Sequence, residues 1–236
     1  MQKQENQQII NLREVKRYYE MGESLVKAID GINIKIEKGD FVAIMGPSGS
    51  GKSTAMNLIG SLDLATYGDI YLDGLNIQHL DESQLAQIRS KKIGFIFQSF
   101  NLIPNLTAKE NIMLPMLFQG ISPEEREERA ESLLNLVGLG DRINHYPNQL
   151  SGGQQQRVAI ARALANNPDV ILADEPTGNL DTKTGEKVIS FLEELNRKGK
   201  TIIIVTHDSK LAQKYARTIY WLKDGRVEKI TKRKKK

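Results

Sequence analysis

The feature that most constrains this 236-residue chain is a five-residue apolar run, Phe41–Met45, leading directly into Gly46-Pro47-Ser48-Gly49-Ser50-Gly51-Lys52-Ser53-Thr54. Gly-x-x-x-x-Gly-Lys-[Ser/Thr] between a strand and a helix is a phosphate cradle. Its glycines let the backbone curl until successive N–H groups converge on phosphate oxygens at the positive end of the following helix. Lys52 adds a point charge for the β- and γ-phosphates, and the Ser53 hydroxyl can ligate Mg²⁺. The segment predicts a nucleoside triphosphate site lined by residues 46–54.

Short β-rich runs alternate with longer helical patterns along the rest of the chain. Residues 32–36 alternate apolar and polar, and apolar runs recur at 70–72, 93–97, 170–173, 202–206 and 218–222. Continuous apolar strands imply burial on both faces, hence an α/β core. Ser122-Pro123-Glu124-Glu125 opens a helix with an N-cap, proline at the first helical position and glutamate at the third, predicted to run to Val137 and stop at Gly138. Another is predicted from after Asp181 to before Gly199, with Val188, Ile189, Phe191, Leu192 and Leu195 on its apolar side. Strand signals vanish between residues 100 and 166, which reads as a helical subdomain inserted into the core.

Composition removes whole classes of chemistry. There is no cysteine, so disulfides, thiolate nucleophiles and cysteine metal sites are excluded. His79, His145 and His207 lie too far apart for a His-x-x-x-His zinc pair. Apolar runs reach only four or five residues, against ~20 for a bilayer span, so no membrane crossing is expected. The polar start of the chain shows no signal-peptide core, and the chain is expected on the cytoplasmic side. The net charge of +4 falls to −1 once the basic tail 232–236 is set aside, so nucleic acid is not an expected partner. The tail itself reads as a solvated end or as an attraction for anionic lipid headgroups.

Two further motifs complete the pattern. Val170-Ile171-Leu172-Ala173-Asp174-Glu175 is an apolar strand ending in two carboxylates. Adjacent strand residues face opposite sides, so Asp174 can hold Mg²⁺ while Glu175 orients or deprotonates the attacking water. Leu150-Ser151-Gly152-Gly153-Gln154 opens a helix with a Ser-x-x-Gln capping box. The capping box leaves unexplained two glycines in the first turn, each costing roughly 1 kcal/mol relative to alanine. They suit close approach of a γ-phosphate to that backbone.

With Gln98 and His207 spaced around these motifs, residues 9–230 resemble the nucleotide-binding subunit of an ABC transporter. The resemblance implies a P-loop NTPase (RecA-like) α/β core with a mixed sheet, an N-terminal antiparallel β-subdomain and an inserted helical subdomain. In this reading 1–97 and 167–231 form the core and 98–166 the helical subdomain. It further implies that Tyr19, three residues before Gly22, stacks on adenine, with neighbouring Tyr18 the alternative. Gln98 approaches Mg²⁺ and the attacking water, and Asp181 communicates with the other subunit. His207 contacts the γ-phosphate and supports Glu175. Each ATP in this family is sandwiched between one subunit's P-loop and another's Ser151-Gly152-Gly153-Gln154 motif, so a single copy of each implies a head-to-tail homodimer with two ATPs. The segments Ile93-Gly94-Phe95-Ile96-Phe97-Gln98, Phe100-Asn101-Leu102-Ile103-Pro104 and Pro147-Asn148-Gln149-Leu150-Ser151 are similar to the MacB/LolD-type branch. That branch implies a cytoplasmic-face ATPase serving a separate membrane permease, with an extracytoplasmic adaptor in some systems, and export of drugs or antimicrobial peptides. Its alternatives are lipoprotein release and FtsE-like envelope work. Leu102, Ile103 and Leu106 are candidates either for the groove that receives the permease or for the helical core.

Overall fold

A computed structural model describes residues 7–233; residues 1–6 of the polar N-terminal stretch and 234–236 of the basic tail lie outside the described residues. Along the chain run β1 (Gln8–Met21), β2 (Ser24–Glu37), β3 (Phe41–Met45), α1 (Lys52–Ile59), β4 (Tyr67–Leu72), β5 (Leu75–Asn76), α2 (Glu82–Lys92) and β6 (Ile93–Ile96). They continue as α3 (Ala108–Leu117), α4 (Pro123–Leu136), α5 (Gly152–Ala163), β7 (Val170–Asp174), α6 (Thr182–Arg197), β8 (Thr201–Val205), α7 (Ser209–Tyr215), β9 (Thr218–Lys223) and β10 (Arg226–Lys232). The described residues divide into two compact units, 7–85 with 196–233, and 86–195.

In the first unit β3 lies between β8 and β9 and is parallel to both. Strand neighbours on both edges and burial on both faces explain why β3 is apolar at every position rather than alternating. β10 closes this edge antiparallel to β9, making the sheet mixed. An antiparallel sheet in the order β2-β1-β4-β5 forms the expected N-terminal β-subdomain. Two-residue turns set its registers and that of β9–β10. Asp73-Gly74 and Asp224-Gly225 both have positive φ at each residue, as type I′ hairpins require. The basic tail begins inside the β9–β10 pair of the mixed sheet: Lys232 pairs with Thr218, and the Arg233 N–H donates to the Arg217 carbonyl at 2.8 Å.

In the second unit β6 and β7 pair in parallel. β6 ends at Ile96, one residue short of the apolar run that predicts it. Helices α3, α4 and α5 enclose a core that includes Ile112, Met116, Leu134, Val158 and Ala161. Ser122 caps α4 and Ser151 caps α5 as their sequences predict, and the C-terminal cap of α4 is Val137 followed by Gly138 at φ 69°. The fully buried Asn111 fastens the loop before α3: its Oδ1 accepts from the Ile103 N–H at 2.8 Å, while its Nδ2 donates to the carbonyls of Ile103, Leu106 and Thr107. Leu102 packs against the helical core, whereas Ile103 stays exposed.

Gly94 in β6 is where backbone meets backbone. A Cβ there would stand 2.2 Å from the Ala163 carbonyl oxygen at the end of α5. Gly94→Ala is expected to lower unfolding stability by about 3 kcal/mol, read from urea denaturation, because neither chain segment can move aside cheaply.

Candidate functional site

In the first unit, β3 delivers the chain into the predicted cradle. A Cβ on Gly46 would fall 2.2 Å from the Leu222 carbonyl oxygen, and one on Gly51 would fall 2.5 Å from the Ala28 carbonyl oxygen, with Gly51 also at φ 95°. Only glycine fits either position. Gly51 is the N-cap of α1 and supplies no side-chain acceptor, so the first-turn N–H groups face outward without a cap. The Lys52 ammonium donates to the carbonyls of Gly46 (2.8 Å) and Pro47 (2.7 Å), which holds its charge over the loop. From behind, the Gly225 N–H donates to the Ser50 carbonyl (3.1 Å) and the Asp30 N–H to the Gly225 carbonyl (2.8 Å). This arrangement suits a polyphosphate: uncapped amides, a helix dipole and one cation converge at the start of α1.

The two candidate tyrosines of β1 have separate partners. The Tyr19 hydroxyl donates to Asp63 at 2.7 Å, and the Arg17 guanidinium lies 4.6 Å from its ring centroid while pairing with the same carboxylate at 2.8 Å. Tyr18 instead donates to Asp30, which also accepts from Arg226 at 2.7 Å. These two bonds, the tyrosine's first, hold the Asp30 carboxyl down to about 2 from its ordinary 3.8. His207 is exposed and lies two residues past the end of β8; the next residue, Asp208, caps α7.

The second unit holds the remaining candidates. β7 ends in Asp174, and Glu175 after it adopts φ 41°, a left-handed conformation that costs a non-glycine residue free energy. The turn closes by a Gly178 N–H to Glu175 carbonyl bond of 2.9 Å. Gln98 sits against this turn. A Cβ on Gly178 would meet its Nε2 at 2.6 Å, and Asn179 Nδ2 donates to the Gln98 carbonyl at 2.9 Å. Asp181 caps α6 by accepting from the Thr184 N–H at 3.1 Å, and its hydrogen bonds to Thr184 lower its pKa. At the start of α5, Ser151 and Gln154 form the predicted capping box. A Cβ on Gly152 would lie 3.7 Å from Phe100 and 3.9 Å from Leu180. Gln98, the glycine-rich helix start and the loop from Glu175 to Asp181 therefore share one neighbourhood. Three further residues support this neighbourhood: Gln156, Arg162 and Asn179. Each bonds a main-chain carbonyl distant in sequence, and no residue pattern announces such a partner.

Residues 29–178 match the ABC transporter family. An ABC transporter ATP-binding protein of Thermotoga maritima is 51% identical over 225 residues, covering 95% of this chain and 96% of that protein. MJ0796 of Methanocaldococcus jannaschii, also described as an ABC transporter ATP-binding protein, is 55% identical over 229 residues, covering 95% and 97%. The macrolide export ATP-binding/permease protein MacB of Aggregatibacter actinomycetemcomitans is 51% identical over 226 residues, 96% of this chain but 35% of that protein. A solved dimeric structure of MJ0796 in a post-hydrolysis state bound to ADP and Pi matches with a TM-score of 0.89 at 52% identity, covering 96% of this chain and 100% of that one.

Asp30 gives a pH test of the bonds it accepts from Tyr18 and Arg226. Its folded pKa is depressed, so its contribution to stability is complete above about pH 4 and is lost as pH falls toward 2. Between those values the unfolding midpoint of Asp30→Asn is expected to fall less steeply with acid than that of the parent chain, measured by urea titration at stepped pH.

Proposed function

The chain belongs to the ABC transporter family, and from that premise we propose that it is the ATP-hydrolysing subunit that powers a separate membrane permease. The observation that carries this reading is the uncapped start of α1, with glycine at its N-cap and Lys52 held over the loop. In the proposed mechanism the amides of residues 46–54 and the Lys52 ammonium bind the β- and γ-phosphates, and Tyr19 stacks on the adenine. Glu175 takes the proton of the attacking water, Gln98 orients that water, and His207 contacts the γ-phosphate and steadies Glu175.

The donor set fits Mg²⁺: the Ser53 hydroxyl, the Asp174 carboxylate and the Gln98 amide are hard oxygen ligands. Among the described residues no three His, Cys, Asp or Glu side chains cluster as an all-protein metal site. Bound there, Mg²⁺ would neutralise charge developing on the phosphates.

Two copies would pair head to tail, each presenting Ser151, Gly152, Gly153 and Gln154 to the nucleotide on its partner's P-loop, with Asp181 communicating across the interface. ATP then acts as the glue, and its hydrolysis releases the pair. The helical segment 98–166 would pass this closing motion to the permease. Among the described residues no helix is long and apolar enough to cross a membrane. In this reading the permease is a separate chain, and attachment to the cytoplasmic face runs through it. The match to a macrolide export protein supports export as the direction of the work. In this reading the cargo is a drug or antimicrobial peptide and an extracytoplasmic adaptor takes part; lipoprotein release and FtsE-like envelope work are the readings that copurification of a different permease would favour.

Glu175→Gln is expected to bind ATP normally, to hydrolyse it at least roughly a hundredfold more slowly, and to accumulate as a dimer in size-exclusion chromatography with ATP. Lys52→Ala is expected to lose nucleotide affinity by at least roughly tenfold in equilibrium binding, since a charge-assisted contact to phosphate disappears. Wild-type turnover of the first or wild-type affinity of the second would contradict the assigned role.

A further inference from the structure

Among the side chains this reading does not use, Gln156 is the one buried most deeply beside it. It sits in α5 five residues after the capping Ser151, fully buried, and its Nε2 donates to the Pro176 carbonyl at 2.7 Å. Pro176 directly follows Glu175, the residue held at φ 41°. The other amide atom of Gln156, Oε1, is buried without a hydrogen-bond partner. Within a helix facing a core, a half-satisfied amide is worse for stability than an apolar side chain of the same length, so packing alone does not account for glutamine here.

The same helix grips a second loop. Arg162 donates to the Phe100 carbonyl at 2.8 Å and to the Asn101 carbonyl, and both of those residues have positive φ, 59° and 49°. This bend directly follows Gln98. Helix α5 thus has three attachments: its glycine-rich start, the turn after Glu175, and the bend after Gln98. An α-helix of twelve residues is a stiff rod of about 18 Å, so a shift at one end reaches the others.

We propose that Gln156 is a positioning residue for Glu175, fastening the helix that senses the partner's nucleotide to the turn that carries the same subunit's base. The inference rests on the functional reading above and deepens it, because it gives the two nucleotide sites of a dimer a physical link inside each subunit. Ser151, Gly152 and Gly153 engage the γ-phosphate on the partner's P-loop; that engagement sets the position of α5. Gln156 then sets the turn at Pro176, and with it the carboxylate of Glu175.

The test is a double-mutant cycle in steady-state ATP hydrolysis. Gln156→Met keeps the side-chain length and removes the donor. It is expected to lower kcat about tenfold while KM for ATP stays within about twofold and the melting temperature does not fall. In a Glu175→Gln background the same substitution is expected to cause no further loss, since Gln156 acts only through Glu175. An unchanged kcat, a rise in KM that accounts for the loss, or a full tenfold loss added on top of Glu175→Gln would overturn the proposal. If Gln156→Met does not fold, Gln156→Leu carries the same cycle, and failure of both to fold assigns Gln156 to the core and also overturns it. Should Glu175→Gln alone hydrolyse ATP at the parent rate, the functional reading falls and this inference with it. A slow Glu175→Gln beside an unimpaired Gln156→Met removes this inference alone.

Discussion

The chemistry of this chain depends on keeping a run of backbone N–H groups turned toward one point at the start of α1. Gly46 and Gly51 make that curl possible because neither has room for a Cβ: the Leu222 and Ala28 carbonyl oxygens occupy the space. The loop is fixed from below by β3, which is paired on both edges, and from behind by the relay from Ser50 through Gly225 to Asp30. A cradle assembled this way needs little reorganisation when an anion arrives, which is where preorganised electrostatic binding gains its strength. The hairpin turn Asp224-Gly225, a structural detail of a peripheral strand pair, is thereby part of the phosphate site's support.

The second unit solves a different problem, that of holding loops in conformations they would not choose. Glu175, Phe100 and Asn101 all sit at positive φ without being glycine. Side chains of a single helix bond carbonyls beside or at each of these residues: Gln156 at Pro176, Arg162 at Phe100 and Asn101. Strained backbone persists only where its surroundings over-determine it, and here α5 supplies much of that determination. Burial lowers the pKa of Arg162, a sign that its charge is held in place against a desolvation cost.

How much of this could be read from the chain alone follows from where each signal resides. β3, β7 and β8 are apolar runs buried on both faces, and the caps Ser122 and Ser151 are local motifs, so both kinds were visible. β1 was not, because its alternation is broken by register shifts, one of them around Glu14 at φ 49°. β10 is almost wholly exposed, and α2 buries only Leu85, so neither displays an apolar face. The Asp73-Gly74 and Asp224-Gly225 turns are the local hairpin signals for β5 and β10. The glycine-rich loop before α1, the adjacent carboxylates after β7 and the Ser-Gly-Gly-Gln helix start are legible as motifs because each is contiguous in sequence. The supports are not, since Gln156, Arg162 and Asn179 bond carbonyls that only tertiary folding delivers.

The central claim is that each working site is assembled from two copies of the chain, the P-loop of one and the Ser151 helix start of the other. The most direct measurement is complementation of ATP hydrolysis between Lys52→Ala chains and Ser151→Arg chains, each inactive alone. In a mixed pair one site carries both lesions and the other carries none, so an equal mixture should recover roughly a quarter of the parent rate on statistical pairing of the two chains. A mixture as inactive as its components would contradict the account, because a site contained within one chain cannot be repaired by another.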